Sequence, residues 1–308
     1  MKNIYEVQSA NKTKSLIVVI GFFVFVALTV WVLSQAMAVY MGYEPGGLGV
    51  VGLAFIVSGI MSFGSYYYSD KIVLSISQAR PANRKRDFEF YTVTENLCIA
   101  AGIPKPKLYV INDTAMNAFA TGRDPDHAVV CATTGLLDQL NRTELEGVIA
   151  HELTHIKNYD IRLMSLVAVM VGIIALLGDW FLRMSFYGRG DRDKKSNAAA
   201  IIMVLGLIFA ILSPIIATMI KLAISRRREF MADAGSVAIT RQPNGLIQAL
   251  KKISNDHEPL EAANKATAHL YISNPFKDKR KDAVGMFASL FITHPPISKR
   301  IKALQEMA

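Results

Sequence analysis

The chain is poor in cysteine, in repeats and in nucleic-acid signatures, and each shortage excludes a class. Its two cysteines, Cys98 and Cys131, lack metal-ligand spacing. They read as free thiols, which suits a reducing compartment and excludes a disulfide framework. Neither an internal repeat nor a low-complexity tract is present, so solenoid arrays are out. The formal net charge is +9, yet no nucleic-acid motif accompanies it and the basic residues flank apolar runs. The excess is therefore read as attraction to an anionic lipid surface, with no nucleic acid as partner. No small-residue cleavage site follows the first apolar run, whose length exceeds the roughly 7–15 residues of a secretory core. That run reads as a retained signal anchor.

Apolar residues are in excess, at 52% of 308 with a positive mean hydropathy, more than an ordinary soluble domain carries. They gather in four runs: Leu16–Val39, Gly46–Tyr68, Met164–Gly178 and Ala198–Ile220. A membrane-crossing helix needs about 20 apolar residues, so the first, second and fourth are long enough. The third stops at Asp179 and Pro214 interrupts the fourth, which leaves buried core helices open as a reading of that pair. Lys2, Lys12 and Lys14 precede the first run, and no Lys or Arg separates it from the second. Lys71, Arg80, Arg84, Lys85 and Arg86 follow the second run, and Lys221, Arg226, Arg227 and Arg228 follow the fourth. This asymmetry puts the amino terminus and the polar regions in the cytoplasm. One loop opposes it: Arg183, Arg189, Arg192, Lys194 and Lys195 lie where a crossing hairpin would place them outside.

Residues 70–160 read as mixed α/β. FEFYTVTENLCIAAG (88–102) has helical spacing and stops at Gly102, with Pro104 just beyond. KLYVI (107–111) and AVVCAT (128–133) read as short strands, with NAFATG (117–122) extended between them. Thr143 and Glu146 fit a capping box opening a helix with apolar Leu145, Val148, Ile149, Leu153 and Ile156. No Gly or Pro occurs from His151 to Val171, which predicts one unbroken helix running into the third apolar run. A second polar helix is predicted over 225–239, and the remainder to Ala308 as helical with a loop at 294–296.

The chemistry concentrates in HELTH (151–155). His151 and His155 are four residues apart, so on a helix both side chains point the same way, one turn apart. That suits two imidazole ligands of one zinc ion at about 2.0–2.1 Å each. Glu152 stands beside them, placed to hold the attacking water without ligating the metal. A catalytic zinc takes a third protein ligand and keeps one position for water. Glu229 is the candidate, on the second helix, with Asp233 one turn later to accept the far N–H of a ligating histidine. A surface pair between Glu229 and Arg226 is the plain alternative. Asp160 reads as support for the metal site or as a cap. His127, His257 and His269 have no ligand partner at useful spacing.

HELTHIKNYD, RRREFMAD, NAFATGR and HPPISKRI resemble the HtpX-type membrane zinc metalloproteases, bacterial relatives of the prenyl-protein endopeptidases, and the match runs nearly the whole length. The resemblance implies a mainly α membrane protein of four hydrophobic helices with a cytoplasmic α/β gluzincin-type zinc peptidase domain. Its parts would be 1–69 with two spans, 70–160 and 221–308 as the peptidase domain, and an inserted hydrophobic hairpin at 161–220. It implies one zinc held by His151, His155 and Glu229, with Glu152 as general base. His294 becomes a catalytic candidate for the tetrahedral intermediate, with Arg300 in support. Asn117, Ala118, Phe119 and Ala120 match an active-site edge strand that would add substrate backbone as a further strand; an ordinary turn is the alternative. The implied setting is the bacterial inner membrane, multi-pass with the site facing the cytoplasm, in quality control of damaged membrane proteins under stress. Membrane-protein substrates and other membrane proteases are the implied partners. Self-cleavage is expected from the exposed stretches 183–197 and 255–285.

Three other readings compete. A prenyl-protein endopeptidase is the nearest enzymatic one, but that group resembles a chain with more spans than the four here. An intramembrane protease is disfavoured because Glu144, Glu146, Lys157, Asp160 and Arg162 crowd the motif, a charge density costly in hydrocarbon. A non-enzymatic membrane chaperone or scaffold with a structural zinc would need a fourth protein ligand, and none is apparent.

Overall fold

The computed structural model describes residues 48–169, 226–261 and 295–307, with shorter pieces within 9–31 and 267–275. Four strands form one mixed sheet: β1 (Arg80–Pro81), β2 (Lys107–Ile111), β3 (Ala118–Gly122) and β4 (Ala128–Thr133). Their order is β1-β2-β4-β3. β2 and β4 run parallel, with Val110 opposite Ala132, while β3 pairs antiparallel with β4, placing Phe119 opposite Cys131. Thus β3 is the edge, and the three longer strands are those the sequence pattern predicts.

The period-two alternation divides the sheet's faces. Val110, Ala118, Ala120, Val130 and Ala132 pack on one side against a large core, while Ile111, Phe119 and Cys131 pack on the other with Val73, Met164 and Tyr271. The helices are α1 (Leu48–Tyr67), α2 (Ser69–Ile76), α3 (Phe88–Ala101), α4 (Thr134–Gln139), α5 (Arg142–Lys157), α6 (Arg226–Thr240), α7 (Asn244–Asn255) and α8 (Ile297–Gln305). α3 stops where predicted, because Gly102 takes φ 65°, a left-handed cap that favours glycine.

α5 is the central element. Every residue from Gly147 to Ile156 on it is buried, and its Leu145, Val148, Ile149, Leu153 and Ile156 meet α3, the sheet and α7 in one core. Each such side chain contributes about 1.5–3 kcal/mol when fully buried. Close approach makes this packing possible. A Cβ on Gly147 would lie 2.4 Å from the backbone N of Leu246 on α7, and one on Gly235 would lie 2.3 Å from Thr154 Cγ2. Ser236 Oγ of α6 donates to Gly147 O at 2.8 Å.

Three expectations change. The capping box opens two residues earlier, with Asn141 accepting from Glu144 N–H and the Glu144 carboxylate accepting from Asn141 N–H. Asn141 has the extended backbone a cap requires, whereas Thr143 already lies inside the helix. The unbroken helix is interrupted: α5 ends at Lys157, Asn158 is its cap, Tyr159 takes φ 60°, and helix resumes over 160–169. After α7 the chain is not helical over 256–261, where Asp256 Oδ2 accepts from Met116 N–H.

Among the described residues no helix is long and apolar enough to cross a membrane. The loop 183–197, residues 170–178 of the third apolar run and all of the fourth lie outside the described residues.

Candidate metal centre

The HExxH residues sit on the last two turns of α5, and α6 crosses it so that Glu229 and Asp233, one turn apart, face the histidines. His151 and His155 point their Nε2 atoms at each other, 3.2 Å apart. Glu229 closes the triangle, with Oε2 3.8 Å from His151 Nε2 and Oε1 3.6 Å from His155 Nε2. All three are buried and offer ligand atoms within 4.8 Å of one another. Among the described residues no fourth His, Cys, Asp or Glu joins this group. Two imidazole nitrogens and one carboxylate form a donor set that fits a zinc ion with an open position.

The far nitrogen of each imidazole is tied to its own carboxylate. His151 Nδ1 lies 3.0 Å from Asp233 Oδ1, and His155 Nδ1 lies 2.9 Å from Asp160 Oδ2. These bonds fix the tautomer in which Nε2 is the free donor to a metal and hold both rings still. Asp160 is therefore a support of His155 and not a helix cap. Glu229 is 3% exposed, so it is not the surface charge of the plain alternative.

Arg300 is fully buried on α8. Its Nε and Nη2 grip both oxygens of Asp233 at 2.9 and 2.6 Å, and Nη1 lies 3.6 Å from Glu229 Oε2. Nη2 also stands 3.4 Å from both ring nitrogens of His151. A guanidinium here neutralises the clustered carboxylates and orients Asp233, which a bidentate fork does well. Glu152 is 2% exposed, and its charge acts on both His155 and Arg300. His294 lies outside the described residues.

Burial pulls both histidines the same way, and their neighbours decide the outcome. Burial and the Arg300 charge lower the pKa of His151, against the Asp233 hydrogen bond. Burial would lower His155 as well, but the Asp160 hydrogen bond and the charges of Glu229, Asp160 and Glu152 raise it.

Beside the centre runs β3. Its register turns the amides of Phe119 toward β4 and those of Ala118, Ala120 and Gly122 to the open edge. Two of these outward residues already have partners: Ala118 O accepts from Ile272 N–H at 3.0 Å, and Gly122 N–H donates to Ser165 Oγ at 3.0 Å. Phe119 is buried edge-to-face against Tyr271, and the Asn117 side chain bonds Ser273 O at 3.3 Å.

Sequence reasoning missed two buried side chains. Asn11 donates to Asp160, and Arg228 Nε lies 3.7 Å from the same carboxylate. Spacing offers no signal for either, since one stands before the first apolar run and the other among surface arginines.

Helix-borne histidines one turn apart, a glutamate from a second helix and carboxylates behind the imidazoles define a metallopeptidase of the HExxH class. Comparison with known proteins gives the family: residues 84–308 match the model of Peptidase family M48, and the chain belongs to it. It is a membrane-associated zinc metalloprotease. It is 43% identical over 309 residues to a Protease HtpX homolog of Thermoanaerobacter pseudethanolicus, covering 99% of this chain and 98% of that one. A namesake from Dictyoglomus thermophilum is 46% identical over 303 residues, covering 98% and 94%. One from Listeria monocytogenes serotype 4a is 41% identical over 316 residues, covering 99% and 100%. The crystal structure of S. mikatae Ste24p aligns with 97% of this chain and 67% of that one, at TM-score 0.46 and 17% identity.

Proposed function

We propose that the chain is a zinc endopeptidase that cleaves misfolded or damaged membrane proteins at the cytoplasmic face of the bacterial inner membrane. The single observation carrying the hydrolytic part is the convergence of His151 Nε2, His155 Nε2 and the Glu229 carboxylate, each histidine backed by its own aspartate. A zinc ion there supplies Lewis acidity toward the scissile carbonyl and the attacking water. Glu152 accepts the water's proton and later hands it to the leaving amine. Ala120, the central outward residue of β3, takes substrate backbone as an added strand. His294 serves the developing oxyanion, since Arg300 is already held by Asp233.

The membrane setting rests on the four apolar runs and their flanking charge. It is supported by α1, which exposes Ile56, Ile60 and Phe63. Its last residues Tyr66 and Tyr67, and Tyr68 just beyond, have rings met by Arg162, Arg123 and Lys71. Aromatic rings ringed by cations suit the cytoplasmic headgroup level.

The test compares membranes of cells carrying the wild-type chain with those carrying Glu152→Gln. Wild type should yield fragments cut in cytoplasmic loops of membrane proteins, its own chain included, and the variant should accumulate the intact proteins. Identical fragment sets in both would refute the proposal.

A further inference from the structure

Asp160 comes only five residues after His155, and on a continuous helix it would be rotated about 140° away from that histidine. It reaches His155 because the chain breaks at Tyr159, whose φ of 60° is rare for a residue with a side chain. Something must hold the break. The side chain that does so comes from the start of the chain. Asn11, 2% exposed on a helical stretch covering residues 11–21, donates from Nδ2 to Asn158 O at 3.0 Å and to Asp160 Oδ1 at 2.8 Å. Its Oδ1 faces Arg228 Nη1 at 3.5 Å. The next residue, Lys12, places its ammonium 4.4 Å from the Tyr159 ring. Asn11 is itself steadied by Ser15, whose Oγ donates to Asn11 O at 2.9 Å.

We infer that Asn11 is a positioning residue of the metal centre, acting through Asp160 on His155. Its amide takes one oxygen of Asp160 and so leaves Oδ2 directed at His155 Nδ1. The amino-terminal helix is thereby part of the zinc site, although 149 residues separate the two partners. A docked helix gives a rigid His155; an undocked one leaves Asp160 free to turn away. This rests on the reading of His155 as a metal ligand.

The test uses the full chain in detergent, with zinc affinity from chelator competition, the visible spectrum of the cobalt-substituted protein and the melting point of the metal-free form. Asn11→Ala should weaken zinc about tenfold, within the range typical of groups behind a ligand, and alter the cobalt spectrum. Asn11→Asp, isosteric but unable to donate to a carboxylate, should weaken it further, whereas a packing role alone predicts that it is milder than Ala. Added to Asp160→Ala, Asn11→Ala should cost nothing more, because the two act in series. If Asn11→Ala does not accumulate folded, Asn11→Asp and its cobalt spectrum decide. Unchanged zinc affinity in both Asn11 variants, with His155→Ala losing the metal, overturns this inference alone. Retention of zinc by His155→Ala overturns the reading beneath it.

Discussion

His155 Nε2 stands 3.2 Å from His151 Nε2 with no side chain between them. Two ligands of a tetrahedral ion at about 2.05 Å subtend about 3.3 Å, so the backbone already holds the spacing a metal needs. In the metal-free protein the Asp160 hydrogen bond and the nearby carboxylates hold the pKa of His155 up against burial, while burial and the Arg300 charge hold that of His151 down. The sign follows: below the raised value a proton must leave His155 before Nε2 can bind zinc. Zinc uptake should therefore release about one proton at neutral pH, and affinity should fall about tenfold for each pH unit of acidification. Calorimetry in buffers of different ionisation enthalpy checks this, and an enthalpy independent of buffer would contradict it.

The Asp233–Arg300 pair sets a second expectation. Both are essentially fully buried and joined by two hydrogen bonds, so removing one partner strands a charge. Asp233→Asn should destabilise the metal-free protein by about 3–5 kcal/mol and weaken zinc binding as well. Denaturant unfolding without metal reads the first part. A loss within about 0.5 kcal/mol would mean the pair is not as buried as the structure has it.

Glycines at the helix crossings give a third. Gly147→Ala drives a methyl into backbone of α7, and Gly235→Ala drives one into the Thr154 side chain. Each should cost about 1–3 kcal/mol. Thr154→Ala should relieve the Gly235 variant in part and leave the Gly147 variant unimproved. A double-mutant cycle on thermal unfolding separates the two, and equal relief would contradict the packing described.

Much of this was legible in the sequence because it is local. Strand alternation at 107–111 and 128–133, the Gly102 stop, and the two one-turn spacings, His151 to His155 and Glu229 to Asp233, each follow from a short-range rule. What was not legible is long-range. The break at Tyr159 has no glycine to announce it, since tertiary contacts with Asn11 and Lys12 outweigh its local cost. The charges crowding the motif read as water-facing, yet Glu144 and Asp160 are buried, paired with Lys252 and His155. The capping box slipped because two overlapping patterns, Asn141–Glu144 and Thr143–Glu146, satisfy the same spacing rule.

The cysteines supply a fourth prediction. Burial pushes the Cys98 thiol up to about 11 and drives that of Cys131 up as well. At pH 8 only about a thousandth of Cys98 is then thiolate, the reactive form. Folded protein should resist an alkylating reagent at that pH and react at both positions once denatured. Rapid modification of the folded chain would contradict the burial of both.

Zinc content measured together with peptidase rate on Glu152→Gln tests the central claim most directly. Glu152→Gln should keep full zinc while its rate falls by at least about 10²–10⁴-fold, whereas Glu229→Gln, measured alongside, should lose both metal and rate. Wild-type turnover in Glu152→Gln, or full zinc and full activity in Glu229→Gln, would contradict the assignment of base and third ligand.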